Sequence, residues 1–204
     1  MVSMAAMGVG YQTLDTVSGF NFIAPTFENV VENGVDIQDI KLGAAATEYS
    51  DSIQVLDDGG ATVETYLWTS DGWIDETFEV VTKSLVAGSS ILVDTASATT
   101  VTMSGKVGDS NYETTSVAGF NFVGNTTPVA IDIQSITLTG DATEYSDSIQ
   151  ILDEGGATVE TYLWTVDGWI DDTFSLVEKE IAAGQGLLID TANPGVKISF
   201  PSAL

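Results

Sequence analysis

Residues 46–78 read ATEYSDSIQVLDDGGATVETYLWTSDGWIDETF, and residues 142–174 read ATEYSDSIQILDEGGATVETYLWTVDGWIDDTF. The copies differ only at Val55/Ile151, Asp58/Glu154, Ser70/Val166 and Glu76/Asp172. The spacing, from residue 46 to residue 142, is far longer than a solenoid or propeller repeat, so each copy is long enough to be a domain. Within each copy two β-prone runs flank a turn. Ser52–Leu56 and Ala61–Trp68 are separated by Asp57-Asp58-Gly59-Gly60, matched by Asp153-Glu154-Gly155-Gly156, and Asp-Gly supplies the positive φ of tight hairpins. Alternation is expected to put Ile53, Val55, Val63 and Leu67 on one face, with Glu64, Tyr66 and Trp68 on the other. SDGWID (residues 70–75) then turns and folds Trp73 back over the sheet.

Working outward, the same grammar continues. Tyr11–Val17 and GFNFIA (residues 19–24) precede the repeat, and GFNFVG (residues 119–124) precedes its second copy. In VDIQDIKL (residues 35–42) the apolar phase slips, with Val35 and Ile37 on one face and Ile40 and Leu42 on the other. Ile131, Ile133, Ile136 and Leu138 repeat the slip, so a β-bulge at a corner between two sheets is expected. Further strands are expected over residues 79–86, 89–94 and 100–104, and over 175–182, 186–190 and 196–200. No window carries helical periodicity. Seven or eight short strands per repeat predict an all-β chain of two tandem homologous β-sandwich domains, jelly-roll or immunoglobulin-like. The boundaries are an apolar N-terminal arm at 1–10, repeat 1 at 11–106 and repeat 2 at 107–204.

Composition narrows the partners. Thirty acidic residues stand against five lysines, with no histidine and a net charge of −25 across 204 residues; arginine and cysteine are absent too. Such a chain repels nucleic acid and anionic membrane, and close packing of copies needs screening by salt or cations. An acidic extracellular protein, a protein of a salty environment and a binder of divalent cations all fit. No apolar run is long enough for a membrane span. Residues 1–10, MVSMAAMGVG, read either as a remnant of a leader or as an arm, with Met4 and Met7, that pairs with a neighbouring molecule.

The stretch GFNFIAPTF and the paired endings SLVAGSSILVDT and EIAAGQGLLIDT resemble β-sandwich modules of secreted and surface-exposed bacterial proteins. Those modules open on a Gly-aromatic-Asn-apolar strand and close on an Ala-Gly-Gln-Gly-aromatic hairpin. This chain departs where Ser89-Ser90 replaces the Gln-Gly seen at Gln185-Gly186, and where leucine or isoleucine replaces the aromatic. The resemblance implies an extracellular or cell-surface location and a structural or adhesive role, with no catalytic residues to carry over.

The chemistry available is narrow. Without histidine or cysteine, serine and cysteine triads are excluded. Asp71 and Asp75 beside Trp68 and Trp73 could line a glycosidase cleft, but the set recurs whole at Asp167, Asp171, Trp164 and Trp169. Turn-forming aspartates around a packed tryptophan account for it better. Calcium is the candidate cofactor, with Asp57, Asp58, Asp71, Asp75, Asp153, Asp167 and Asp171, and neighbouring Glu76, as loop-borne ligands, although no EF-hand spacing occurs. The rings of Tyr66, Trp68, Trp73, Tyr162, Trp164 and Trp169 are candidates for an interface or a sugar-stacking surface. The expected function is therefore a non-enzymatic surface protein that self-assembles head-to-tail into a filament, tube or layer. A carbohydrate-binding or adhesive module facing cell-surface glycans is the alternative.

Overall fold

The computed structural model describes residues 9–27, 34–56, 63–86, 88–106, 111–152 and 159–201. Among them the chain is all-β, with antiparallel sheets and two single-turn 3₁₀ helices. The first half carries β1 (Val9–Asp15), β2 (Gly19–Ile23), β3 (Gly34–Asp36), β4 (Lys41–Leu42), β5 (Ser52–Leu56), β6 (Val63–Thr69), β7 (Gly72–Ile74), β8 (Ser84–Val86), β9 (Ile91–Thr95) and β10 (Thr100–Lys106). The second half repeats the set as β11 (Tyr112–Thr115), β12 (Gly119–Gly124), β13 (Ile131–Asp132), β14 (Thr137–Thr139) and β15 (Ser148–Leu152). It is completed by β16 (Val159–Thr165), β17 (Gly168–Ile170), β18 (Glu180–Ile181), β19 (Gly186–Thr191) and β20 (Lys197–Phe200).

Among the described residues, no named sheet takes strands from both halves. The first half forms a five-stranded sheet β2-β9-β5-β6-β7, a three-stranded sheet β1-β10-β4 and the pair β3-β8; the second forms β12-β19-β15-β16-β17, β11-β20-β14 and β13-β18. Each set wraps its own apolar core, centred in the first on Ile37, Ile53, Trp73, Ile91 and Met103. The second core contains Ile133, Ile149, Trp169, Ile189 and Phe200. The arrangement is sandwich-like, with inward side chains alternating along each strand.

The phase slip in VDIQDIKL is resolved by a 3₁₀ turn where a bulge was expected. Asp36 caps the turn Ile37–Asp39 by accepting from the Gln38 amide, and Asp132 does the same for Gln134 in the second half. A 3₁₀ turn rotates the chain enough to bring Val35, Ile37, Ile40 and Leu42 all inward. It also hands the chain from the β3-β8 pair to the β1-β10-β4 sheet, so the corner falls where the sequence placed it.

The strand expected over residues 79–86 shortens to Ser84–Val86, with one isolated bridge from Val80 to Ile74. Its counterpart shortens to Glu180–Ile181. The segment expected as a turn, SDGWID, contributes a strand instead. A two-residue loop at Ser70 and Asp71 sets Thr69 opposite Gly72 and Trp68 opposite Trp73.

The faces of the hairpin also differ from expectation. Ile53 lies opposite Tyr66, and Val55 opposite Glu64. Directly opposed residues share a face, so Tyr66 and Trp68 lie on the same side as Ile53 and Val55, not on the reverse. When the connection holds an even number of residues, odd positions of one strand face with even positions of the other. Counting alternation straight through the turn therefore inverts the second strand.

The two halves meet through reciprocal contacts. Ile23 bridges to Gln185, and its counterpart Val123 bridges to Ser89, which occupies the position of Gln185 in the first half. The Ala24 amide donates to the Gly184 carbonyl at 2.8 Å, and the Gly124 amide to the Gly88 carbonyl at 3.2 Å. Phe22 and Phe122, again counterparts, meet edge to face with centroids 4.9 Å apart. Contacts in which i meets j and j meets i define a two-fold relation between units. The open edges of β2 and β12 are thereby covered at their ends.

Candidate interaction surfaces

Asp51 holds each repeat's central loop. It is fully buried, and its carboxylate accepts from the Thr47 amide at 2.9 Å and the Ala96 amide at 2.8 Å. Asp147 does the same with Thr143 and Ala192. Trp73 and Trp169 are fully enclosed, and their indole N–H groups donate to the Ile40 and Ile136 carbonyls. The Gln38 amide grips Trp73 from the 3₁₀ turn, donating to the Trp73 and Val81 carbonyls and accepting from the Trp73 amide. These are core fixtures. Trp73 and Trp169, candidates for a ligand-facing surface, present none.

Tyr66 is only 9% exposed. Its hydroxyl donates to Glu64 at 2.7 Å, and Glu64 pairs with Lys83 at 2.6 Å. Burial pushes the Tyr66 hydroxyl up to about 12, reinforced by the Glu64 carboxylate. Tyr162, Glu160 and Lys179 repeat the chain of contacts, and burial again raises the tyrosine. Trp68 and Trp164 are half-buried against their cores. Trp68 stacks edge-on to Trp73 at 5.0 Å. The row expected outside is thus part of the inner face, tied down by internal partners.

The acidic loops divide. Asp75 Oδ1 accepts from the Thr77 amide, the Thr77 hydroxyl and the Glu79 amide, and Asp171 Oδ1 takes the matching bonds from Thr173 and Ser175. These bonds hold both carboxyls below the usual range. They are turn-makers. Among the described residues no three acidic side chains converge where they could hold a metal ion. Asp57, Asp58 and Asp153, and the arm with Met4 and Met7, lie outside the described residues.

Sequence reasoning missed one constellation. Tyr49 and Phe78 are 60% and 69% exposed, and their counterparts Tyr145 and Phe174 are 58% and 72%. All four sit in the left-handed backbone region, with φ between 60° and 64°, and they are the only non-glycine residues to do so among those described. That conformation costs a bulky residue about 1–2 kcal/mol. The Tyr145 and Phe174 rings lie 6.4 Å apart. The backbone is pinned around them: the Tyr49 amide donates to the Trp68 carbonyl, and the Phe78 amide to the Asp75 carbonyl. Beside them Glu48 accepts from the Ser70 amide at 2.7 Å, and the Ser70 side chain together with that amide holds its carboxyl below the ordinary value. Val80 and Leu176, also exposed, extend each patch. The signal in the sequence was an aromatic set among turn-formers, in EYSD and DETFE, outside any strand alternation.

A cleft of about 960 Å³ runs between the halves, lined by Leu14, Phe20 and Phe22 on one side and Ile151, Lys179 and Gln185 on the other. Three of its polar side chains have internal partners: Lys179 pairs with Glu160, and Asn21 clamps the turn before β2 by bonding the Val17 and Gly19 backbone. Comparison of the chain with family models, with curated proteins and with solved structures gave no match. No helix among the described residues is long and apolar enough to cross a membrane.

Proposed function

We propose that the chain is a non-enzymatic structural protein of the cell surface or extracellular space, built from two tandem β-sandwich domains and self-assembling into a filament, tube or layer. The observation that carries this reading is the reciprocal junction: one copy of this fold already binds another through backbone contacts at strand ends. A surface that accepts a second copy within the chain is the elementary requirement for assembly between chains. Residue types support the non-enzymatic part, since histidine, cysteine and arginine are all absent. The junction itself is two-fold; growth between chains is proposed as head-to-tail, through strand edges and the apolar residues 1–10. The sugar-binding alternative rested on Tyr66 and Trp68 as a surface row, and their inward orientation removes that support.

Negative-stain microscopy and light scattering over a range of salt and protein concentration test the proposal. Regular assemblies should appear as salt screens the net charge of −25. Monodisperse monomers under every condition would refute it. Deleting residues 1–10 should shorten or abolish the assemblies.

A further inference from the structure

The four exposed rings mark a second kind of surface, apart from the contact between the two repeats. Each patch lies beside β7 or β17, the strand at the edge of its five-stranded sheet farthest from β2 or β12 and the junction. Folding alone gives no reason to keep a bulky ring in solvent on a left-handed backbone, where glycine or asparagine would sit without strain. Yet both repeats carry the same pair at the same positions.

What surrounds the rings identifies the partner. Glu48 adjoins Tyr49; Asp75, Glu76 and Glu79 flank Phe78; Glu144, Asp171 and Asp172 do the same in the second repeat. Residues 69–79 and 165–175 contain no lysine at all. The Asp75 and Asp171 bonds within the turn all use Oδ1. A second copy bringing the same patch would set carboxylates against carboxylates. A cationic group meets the opposite situation, since a ring face attracts it through the quadrupole and the rim attracts it by charge. A guanidinium satisfies both demands, stacking on a ring while its fork pairs with a carboxylate. The chain has no arginine of its own, so such a partner is another protein.

We infer that Tyr49 with Phe78, and Tyr145 with Phe174, are two docking sites, one per repeat, for arginine side chains of a partner protein, making the chain bivalent. Two sites on one chain join partners or strengthen binding to a repetitive one, without any new contact.

Isothermal titration with a capped Gly/Ser peptide carrying two arginines tests this on the full chain. The expected result is two peptides bound per chain. Replacing all four rings by glycine (Y49G, F78G, Y145G, F174G) keeps every carboxylate and should weaken binding at least tenfold. Substituting only Tyr145 and Phe174 should leave one site. Leucine at the four positions preserves apolar bulk without the π face and should weaken binding similarly; circular dichroism confirms that each variant is folded. The same peptide with citrulline for arginine should not bind. Unchanged binding by the ring-free variant would reduce the effect to diffuse charge and overturn the inference. Equal binding of the citrulline peptide, or ring-dependent binding of a neutral oligosaccharide in place of the arginine peptide, would overturn it as well.

Discussion

The two ends of each five-stranded sheet are built on opposite terms. At the inner end, where β2 and β12 meet the other repeat, Phe22/Phe122 and Gly88/Gly184 are kept, but other residues in contact differ between copies: Gln12 stands for Tyr112, Ala24 for Gly124, and Ser89-Ser90 for Gln185-Gly186. At the outer end, Tyr49 and Phe78 are identical to Tyr145 and Phe174 and stand in solvent. Divergence at the inner end lets two unlike surfaces interlock. Gln12 donates to the Ala183 carbonyl at 3.2 Å, whereas its counterpart Tyr112 packs its ring over Gly88. Duplication has thus produced one specialised contact and two copies of one exposed surface.

The largest effect should come from breaking the inner end. Gly88 has φ +84°, and a Cβ there would fall inside the Tyr112 ring. Gly88→Val is expected to cost about 3 kcal/mol or more through overpacking and backbone strain. Gly184→Val should cost less, because the atoms it meets are the ends of the Leu14 and Thr26 side chains and the Ala24 carbonyl. Urea denaturation of the pair checks the ordering, and equal losses would deny the junction its asymmetry.

Next come positions internal to each repeat, where the halves should behave alike. Asp51→Ala and Asp147→Ala each remove a buried carboxylate that accepts two backbone N–H bonds, at a cost of about 3 kcal/mol. A difference between them above about 1 kcal/mol would show that the repeats are not energetically equivalent, given ordinary additivity errors.

At the outer end the sign reverses. Phe78→Gly releases a strained, exposed side chain and should stabilise the protein by up to about 1 kcal/mol, read as a raised Tm. Phe174→Gly should gain less, since it also forfeits the ring contact with Tyr145. Destabilisation by Phe78→Gly would mean that the ring serves folding and not a partner.

The smallest effects are in pH dependence. Asp75 and Asp171 have lowered carboxyl pKa values, so their stabilisation is present above the ordinary carboxylate range and is lost as pH falls through the folded value. Asp75→Asn with Asp171→Asn should flatten the decline in Tm below about pH 4. Tyr66 is pushed up to about 12, so its contribution is complete below the ordinary tyrosine value near 10 and fades as pH rises toward 12. Tyr66→Phe should flatten that alkaline decline.

Much of this organisation was legible in the chain. The duplication, the all-β class, the Gly-aromatic-Asn strand and the corner in VDIQDIKL all follow from local rules, because turn chemistry and apolar spacing act over a few residues. Asn21 even shows why its motif exists: its amide closes the turn made by Gly19 at φ +96°. Other features were illegible for a definite reason. Whether Tyr66 points inward depends on the register across a hairpin, and one misplaced residue of parity inverts a whole strand. The burial of Asp51 depends on amides contributed from Thr47 and from Ala96, at the far end of another strand.

The amino-acid sequence by itself therefore determined two like all-β halves, a strongly acidic surface and the absence of histidine, cysteine and arginine chemistry. Only the tertiary structure decided which copies of which residues meet. It turned Tyr66 into core, set the halves about a two-fold, and left Tyr49, Phe78, Tyr145 and Phe174 outside on strained backbone. Composition and periodicity are properties of neighbours along the chain, whereas exposure and contact arise from residues that folding brings together from far apart.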